Sequence, residues 1–440
     1  MSHPDHALTG SGTAYWLTAR RLRAHATIVA VCLWSFYCWN LATPGLRDRS
    51  GNLKGTDFLH FYTLGSVAAE HRGADLYDMR TQAAIAAERV PQAAGLRYLP
   101  LYPPQVSILF APVARLSYPW ALTLWWIFSA AIYALCVIAI RRVCPNLAKQ
   151  GTTVLLLALG FPAFFHLIAW GQTSALALGC FTGAFLLLRR RREFLSGVVL
   201  GCLIFKPQLG LAAAVVFLAT GAWKVVAGAV LSALAQLTAG VLYYGATPMR
   251  QWLASMRNVR GLQPLLEPKP YQTHCLRTFW TMLIPPGLIP SGPNPPRITA
   301  SGELTFALYG ISAIVVLGLT ISIWRRRPEA PLALRYSSLL FTTVLAAPHL
   351  TVYDLVILAP ALLLAADCLV AEPTDSSART LGTLLYLVYM LPLLGPLARW
   401  THVQLSVIAM AASVYMMWRI SKHGFVATSE ATVPAEGIHA

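Results

Sequence analysis

Charged residues are scarce in this chain. They make up 12% of its 440 residues, against 56% hydrophobic ones. A soluble domain carries roughly 25% charged residues, so the composition excludes an ordinary soluble globular protein. Acids are scarcer still. There are 17 of them against 34 lysines and arginines, a formal net charge of +17. In a chain of mean hydropathy +0.57 this excess does not call for nucleic acid. Short cytoplasmic loops of membrane proteins concentrate Lys and Arg, and no nucleic-acid partner is expected. Cysteine is sparse outside apolar runs. Cys32, Cys38, Cys136, Cys180, Cys202 and Cys368 sit within such runs, and Cys275 falls in a loop, so no disulfide framework is implied. Walker A, G-x-G-x-x-G and His-Glu-x-x-His motifs are missing, as is any Cys/His zinc spacing. No cofactor and no metal are therefore expected. A signal-peptide cleavage site is missing too.

What is present is a series of apolar runs. The first 23 residues are polar and end in Arg20, Arg21 and Arg23; the run Ala24 to Ala42 follows. This predicts a cytoplasmic segment 1–23 and an uncleaved first span. Further spans are expected at 118–140, 152–168, 172–188, 195–205, 208–220, 223–245, 303–324, 333–347, 352–369, 379–398 and 402–419. Each span needs roughly 20 residues, so the fold class is an all-α integral membrane protein of about twelve transmembrane helices. One polytopic domain would fill 24–420, with a cytoplasmic disordered tail at 421–440.

Charge parity sets the topology. Arg141 with Arg142, Arg189 to Arg192, and Arg325 to Arg327 are basic runs between apolar segments. All belong inside by the positive-inside rule. That holds if 104–116 is re-entrant or interfacial and if 195–205 and 208–220 cross separately. Two large loops, 43–103 and 246–302, then lie outside, the first unusually early in the chain. The same parity gathers the polar interruptions of the apolar runs on the outer face. These are Asp57 and His60 in the first loop, Gln172 at a tight Trp170-Gly171-Gln172 turn, Lys206 before Pro207, and His349 and Asp354. Arg260, His274 and Arg277 are among the cations of the loop 246–302. Polar groups collected on one face of a membrane protein suggest a common site.

Each residue also has a structural reading. Asp57 is well suited to cap a helix starting at Phe58, or it is a general base for an acceptor hydroxyl. Lys206 beside a helix-breaking proline either snorkels or forms an anion site at membrane depth. Gln172 caps the turn or binds a sugar hydroxyl. The cations of 250–277 attract anionic headgroups or grip a phosphate. An enzyme facing outward has no nucleotide pool, so its activated substrate must arrive on a lipid.

Several short motifs occur in a familiar order: Asp57-Phe58, Leu76-Tyr77-Asp78, Leu101-Tyr102-Pro103-Pro104, Gly171-Gln172 and Lys206-Pro207. This order resembles the C-type membrane glycosyltransferases that use polyprenyl-phosphate sugars, and most of all glycosyltransferase family 87, the alpha-1,2-mannosyltransferase-like proteins. The resemblance covers residues 24–420. It implies an inverting hexosyltransferase, mannose favoured, acting on the outer (periplasmic) face of the inner membrane. Its partners would be a polyprenyl-phosphate sugar donor, a glycan or glycolipid acceptor, and membrane lipids. Asp57 would be the catalytic base. Lys206, His274, Arg277 and Arg260 would hold the donor phosphate, and His60, Gln172, His349 and Asp354 the substrate. The second acid that forms a metal site in some C-type enzymes is replaced here by Phe58. Two other classes compete, a twelve-span secondary transporter and a lipid-linked-sugar flippase without chemistry. The flippase would not need Asp57, and the transporter would show a counterpart of the Lys-Pro break in its second half, which the sequence lacks.

Overall fold

The computed structural model describes residues 16–259, 266–284, 300–326, 330–371 and 376–423. Its regular elements are helical. In chain order they are α1 (Ala19–Leu41), α2 (Phe58–Ala69), α3 (Met79–Arg89), α4 (Gln105–Phe110), α5 (Tyr118–Arg142), α6 (Gly151–Leu159), α7 (Pro162–Trp170), α8 (Ser174–Arg189), α9 (Glu193–Gly201) and α10 (Pro207–Ala219). There follow α11 (Trp223–Tyr244), α12 (Ala246–Arg257), α13 (Leu276–Leu283), α14 (Ala300–Arg325), α15 (Leu332–Ala346), α16 (Leu358–Ala371), α17 (Ser376–Met390), α18 (Ala398–Thr401) and α19 (Leu405–His423).

Lipid-facing helices declare themselves by what they leave uncovered. On α5 the buried residues Leu122, Trp125, Ser129, Tyr133, Cys136 and Ile140 recur every three or four positions. Its other face exposes Leu124, Ile127, Leu135 and Ile138. Helices α1, α11 and α14 likewise expose large apolar side chains such as Ile28, Leu231 and Ile314. Apolar stripes of this extent need a bilayer. Inside this ring, α15 is buried from Tyr336 through Leu345 and packs against α16, α19 and α14. Helices α9 and α11 lie backbone to backbone. A Cβ on Gly197 would come within 2.0 Å of Val225 O, and one on Gly228 within 2.2 Å of Phe194 O.

The number of spans differs from the sequence expectation of about twelve. Among the described residues, 6 helices are long and apolar enough to cross a membrane, or up to 7 if a pair bent by 45° (Pro145–Leu159 with Pro162–Trp170) is one span. Most of the other expected spans are apolar helices of 10–17 residues. The reason is physical. Segments such as α8 and α15 are apolar because they are buried in protein, and composition alone does not separate a buried helix from one in lipid. The stretch 104–116 contains only the six-residue α4 and a turn of 3-10 helix, in keeping with its expected failure to span. Helix formation breaks at Lys206, between the 3-10 turn Cys202–Phe205 and Pro207 at the start of α10.

The first large loop is a folded unit. Every residue of α2 from Phe58 to Ala68 is buried. Phe61 stacks on Phe110 (5.0 Å between ring centroids) and Phe58 on Trp125 (5.9 Å), so α2 rests on α4 and α5. At the opposite end of the bundle, the Asp367 carboxylate accepts from the Leu147 amide at 3.0 Å, close to where α5 ends in Arg141 and Arg142. Helix α8 runs from Ser174, near the first loop, to Arg189.

Candidate active site

The turn after α7 is the foundation. Gly171 ends that helix in the left-handed region, at φ +71°. A side chain there is excluded twice, because a Cβ would also lie 2.7 Å from Phe58 Cβ. The Gly171 carbonyl accepts from Trp125 Nε1 at 3.0 Å. The Trp170 carbonyl accepts the Asp57 backbone amide at 3.0 Å. The first loop is thereby fastened to the turn at the residue of interest. Tyr118 adds a second fastening, donating its hydroxyl to the carbonyls of Lys54 (2.8 Å) and Gly55 (3.0 Å). Tyr98 donates to the Thr56 carbonyl.

Asp57 stands at the N-cap position of α2, yet its side chain makes no capping bond. Its Oδ2 instead accepts from Gln172 Nε2 at 2.7 Å. Asp78 caps its own helix, accepting from the amides of Arg80 and Thr81. The Asp57 carboxylate is partly exposed, but loss of water raises its pKa to about 6. The Gln172 bond and the Lys206 charge pull it down, and the Asp354 charge adds to the rise.

Lys206 and Asp354 form a buried pair beside it. The side chains are 4% and 2% exposed, and Nζ lies 2.9 Å from Asp354 Oδ1. Ser174 Oγ completes the group, 2.5 Å from the same carboxylate oxygen and 3.1 Å from the ammonium. Asp354 Oδ2 faces the Thr351 amide in a capping box. The ammonium stands 5.0 Å from the Tyr353 ring centroid. An ammonium has three N–H donors, and Asp354 and Ser174 take two of them.

Arg277 and His349 lie around a second centre. Glu267 accepts from Arg277 Nη2, and its Oε1 is 2.6 Å from His349 Nδ1. Burial pushes the Glu267 pKa upward, but His349 and Arg277 hold it below the usual value. Arg277 also donates to the Pro348 carbonyl. His274 is buried, with Nδ1 2.7 Å from Ser406 Oγ, and its backbone amide donates to Leu350 O at 2.9 Å. The strand-like contact Thr273–Thr351 thus joins the second loop to the segment that carries Asp354. The groups acting on the Asp57 carboxylate are Gln172, Lys206 and Asp354, and neither His274 nor Arg277 is among them. Arg260 lies outside the described residues. His60 is buried one turn beyond Asp57 on α2. Among the described residues, no three His, Cys, Asp or Glu side chains are arranged to hold a metal ion.

Sequence reasoning did not pick out Ser174, Thr351 or Glu267. Ser174 and Thr351 carry no signal beyond their proximity to Gln172 and Asp354. Glu267 had one, as the lone acid in a cationic stretch.

The family model of glycosyltransferase family 87 matches residues 101–348, more than half of the chain. The chain belongs to glycosyltransferase family 87. It is a multi-pass membrane glycosyltransferase, with a sugar donor and an acceptor as substrates. No curated protein and no solved structure matches it. The family 87 match includes Gln172, Ser174 and Lys206, whereas Asp57 and Asp354 lie to either side of it.

Proposed function

We propose that the chain transfers a hexose, mannose favoured, from a polyprenyl-phosphate-linked donor to a glycan or glycolipid acceptor on the outer face of the cytoplasmic membrane. The observation that carries this is the Asp57 carboxylate held by a single amide, with the Lys206 ammonium acting on it through space. A carboxylate with a pKa of about 6 is ionised at neutral pH and still basic enough to take a proton. In the proposed step Asp57 removes the acceptor hydroxyl proton, and the oxygen attacks the anomeric carbon. The bond from that carbon to the phosphate oxygen breaks, and polyprenyl phosphate leaves with the electron pair. Attack in line inverts the anomeric centre.

Charge develops on the leaving phosphate, and fixed cations there lower the barrier. Lys206 has a third N–H for it, and Asp354 with Ser174 holds the ammonium in one orientation. Gln172 orients Asp57. His349 and Arg277, engaged with Glu267, belong to the donor wall only if Glu267 releases them on binding. No metal and no cofactor enter this scheme.

The test uses membranes containing the full chain and radiolabelled polyprenyl-phosphate sugars. Asp57→Asn is expected to lower transfer by at least ~100-fold, the scale of a lost general base, with the chain still inserted. Full transfer by this variant would remove Asp57 as the base. Absence of transfer by the unaltered chain from any such donor would remove the donor class.

A further inference from the structure

Around His60, one turn along α2 from Asp57, the first loop and α4 enclose a narrow cavity that the proposed reaction does not use. It is lined by His60, Tyr77, Pro100, Tyr102, Pro103 and Ser107, among others, and admits about one water-sized group. Two of its hydroxyls are already engaged. Tyr77 donates to the Tyr102 carbonyl at 2.9 Å. Ser107 Oγ lies 2.6 Å from both the Pro104 carbonyl and the Tyr244 hydroxyl. His60 is different. It is 4% exposed, and neither ring nitrogen has a hydrogen-bond partner. Buried polar atoms are almost always bonded, so the two ring nitrogens on this cavity wall call for a partner that the protein itself does not supply.

We propose that His60 binds one carbohydrate hydroxyl of the substrate, next to the hydroxyl or anomeric centre served by Asp57. The placement supports this. Residues three apart share a helix face, so His60 follows Asp57 on one side of α2. Tyr98 spans the two, donating to the Thr56 carbonyl and standing 5.1 Å from the His60 ring centroid. Tyr102 flanks the imidazole on the same side of the loop, at 5.7 Å. Rings around a single polar reader suit a sugar, which shows C–H faces and hydroxyl edges. Burial keeps His60 neutral, with a pKa lowered to about 3. A neutral imidazole offers one donor and one acceptor on different edges of the ring, so a sugar hydroxyl can pair with either nitrogen, by accepting or by donating. A site that bonds a substrate hydroxyl strongly rejects an analogue lacking it, since its own polar atoms are left bare.

This inference rests on the reading of Asp57 as the base, but its test reads binding. The full-length chain, with ¹⁵N-labelled histidine, is placed in lipid nanodiscs. One arm titrates octyl glycosides of mannose, glucose, galactose and arabinose as acceptor probes. The other titrates farnesyl-phosphate glycosides of the same sugars as donor probes. The His60 ring signals, assigned by their loss in His60→Gln, are expected to move in one arm, which identifies the substrate concerned. Singly deoxygenated versions of the active probe are expected to include one that binds at least ~10-fold more weakly. His60→Phe should abolish that discrimination, and His60→Gln, which keeps a donor and an acceptor, should retain part of it. Melting temperatures identify a variant that has failed to fold. The inference is overturned if the His60 signals stay still in both arms, leaving a fixed water as the occupant. It is also overturned if His60→Phe, or His60→Gln should the former not fold, discriminates as the unaltered chain does. Moving signals without any transfer would instead count against the proposed reaction.

Discussion

Asp57 is the residue on which the proposed chemistry turns, and its surroundings give it a pH signature. The base must be ionised. With its pKa raised to about 6, transfer measured against pH should climb through that value and level off above it. Gln172 donates to the carboxylate and favours the charged form. Gln172→Leu should therefore shift the climb to higher pH, which a pH–rate profile of membranes will detect. The sign for stability is the reverse. A carboxylate pKa above its ordinary value of 3.8 means that the folded chain binds the proton more tightly than the unfolded chain. This one group then costs stability as pH rises through the interval between them.

Lys206 and Asp354 invite a separation of fold from catalysis. Removing one partner strands a buried charge at about 3–5 kcal/mol, whereas replacing both by apolar groups is often near neutral. Lys206→Met alone should lower the melting temperature sharply. The double variant Lys206→Met with Asp354→Leu should recover most of it while transfer stays at background. Restored transfer in the double variant would rule out the cation as a phosphate ligand.

The turn between α7 and α8 carries the most information at the scale of elements. Gly171 sits at positive φ under Phe58, so Gly171→Ala meets both backbone strain and a clash. An expected cost of about 1–3 kcal/mol should appear in thermal unfolding. Transfer should fall further than stability explains, because the same turn anchors the Asp57 amide. The Gly-Gln pair and the Lys-Pro break were legible in the sequence because each interrupts an apolar run. The broken helix at Lys206 and the short, non-spanning 104–116 segment follow from the same reading. The pairing of Arg277 with Glu267 was not legible. An arginine in a loop looks equally suited to lipid, phosphate or acid until tertiary docking brings one of them to it. Helix α2 was legible as the helix that Asp57 would begin at Phe58, but its burial against α4 and α5 was not, because the apolar partners lie far along the chain.

For the whole molecule, hydropathy recognised the class, while 6 or 7 of the expected spans are long apolar helices among the described residues. Apolar windows register burial of either kind, in lipid or in protein, and α8, α10 and α15 are short apolar helices packed among longer ones. A reporter fused at Ser50 is expected to read outside and one at Arg191 inside. The opposite pattern would put the site on the cytoplasmic face and with it a different pool of donors.

Helix α8 has a further consequence. It has 16 residues from Ser174, against the Lys206–Asp354 pair, to Arg189 at the basic end. At 1.5 Å per residue that is roughly 24 Å, and the hydrocarbon layer is about 30 Å thick. If Arg189 lies among the headgroups of one leaflet, Ser174 would stand short of the opposite headgroup plane. The proposed catalytic groups would then lie several ångströms below that plane. The proposed donor, a sugar on a membrane-embedded tail, would reach that depth by sliding sideways, while a bulky polymer acceptor would have to present a slender end.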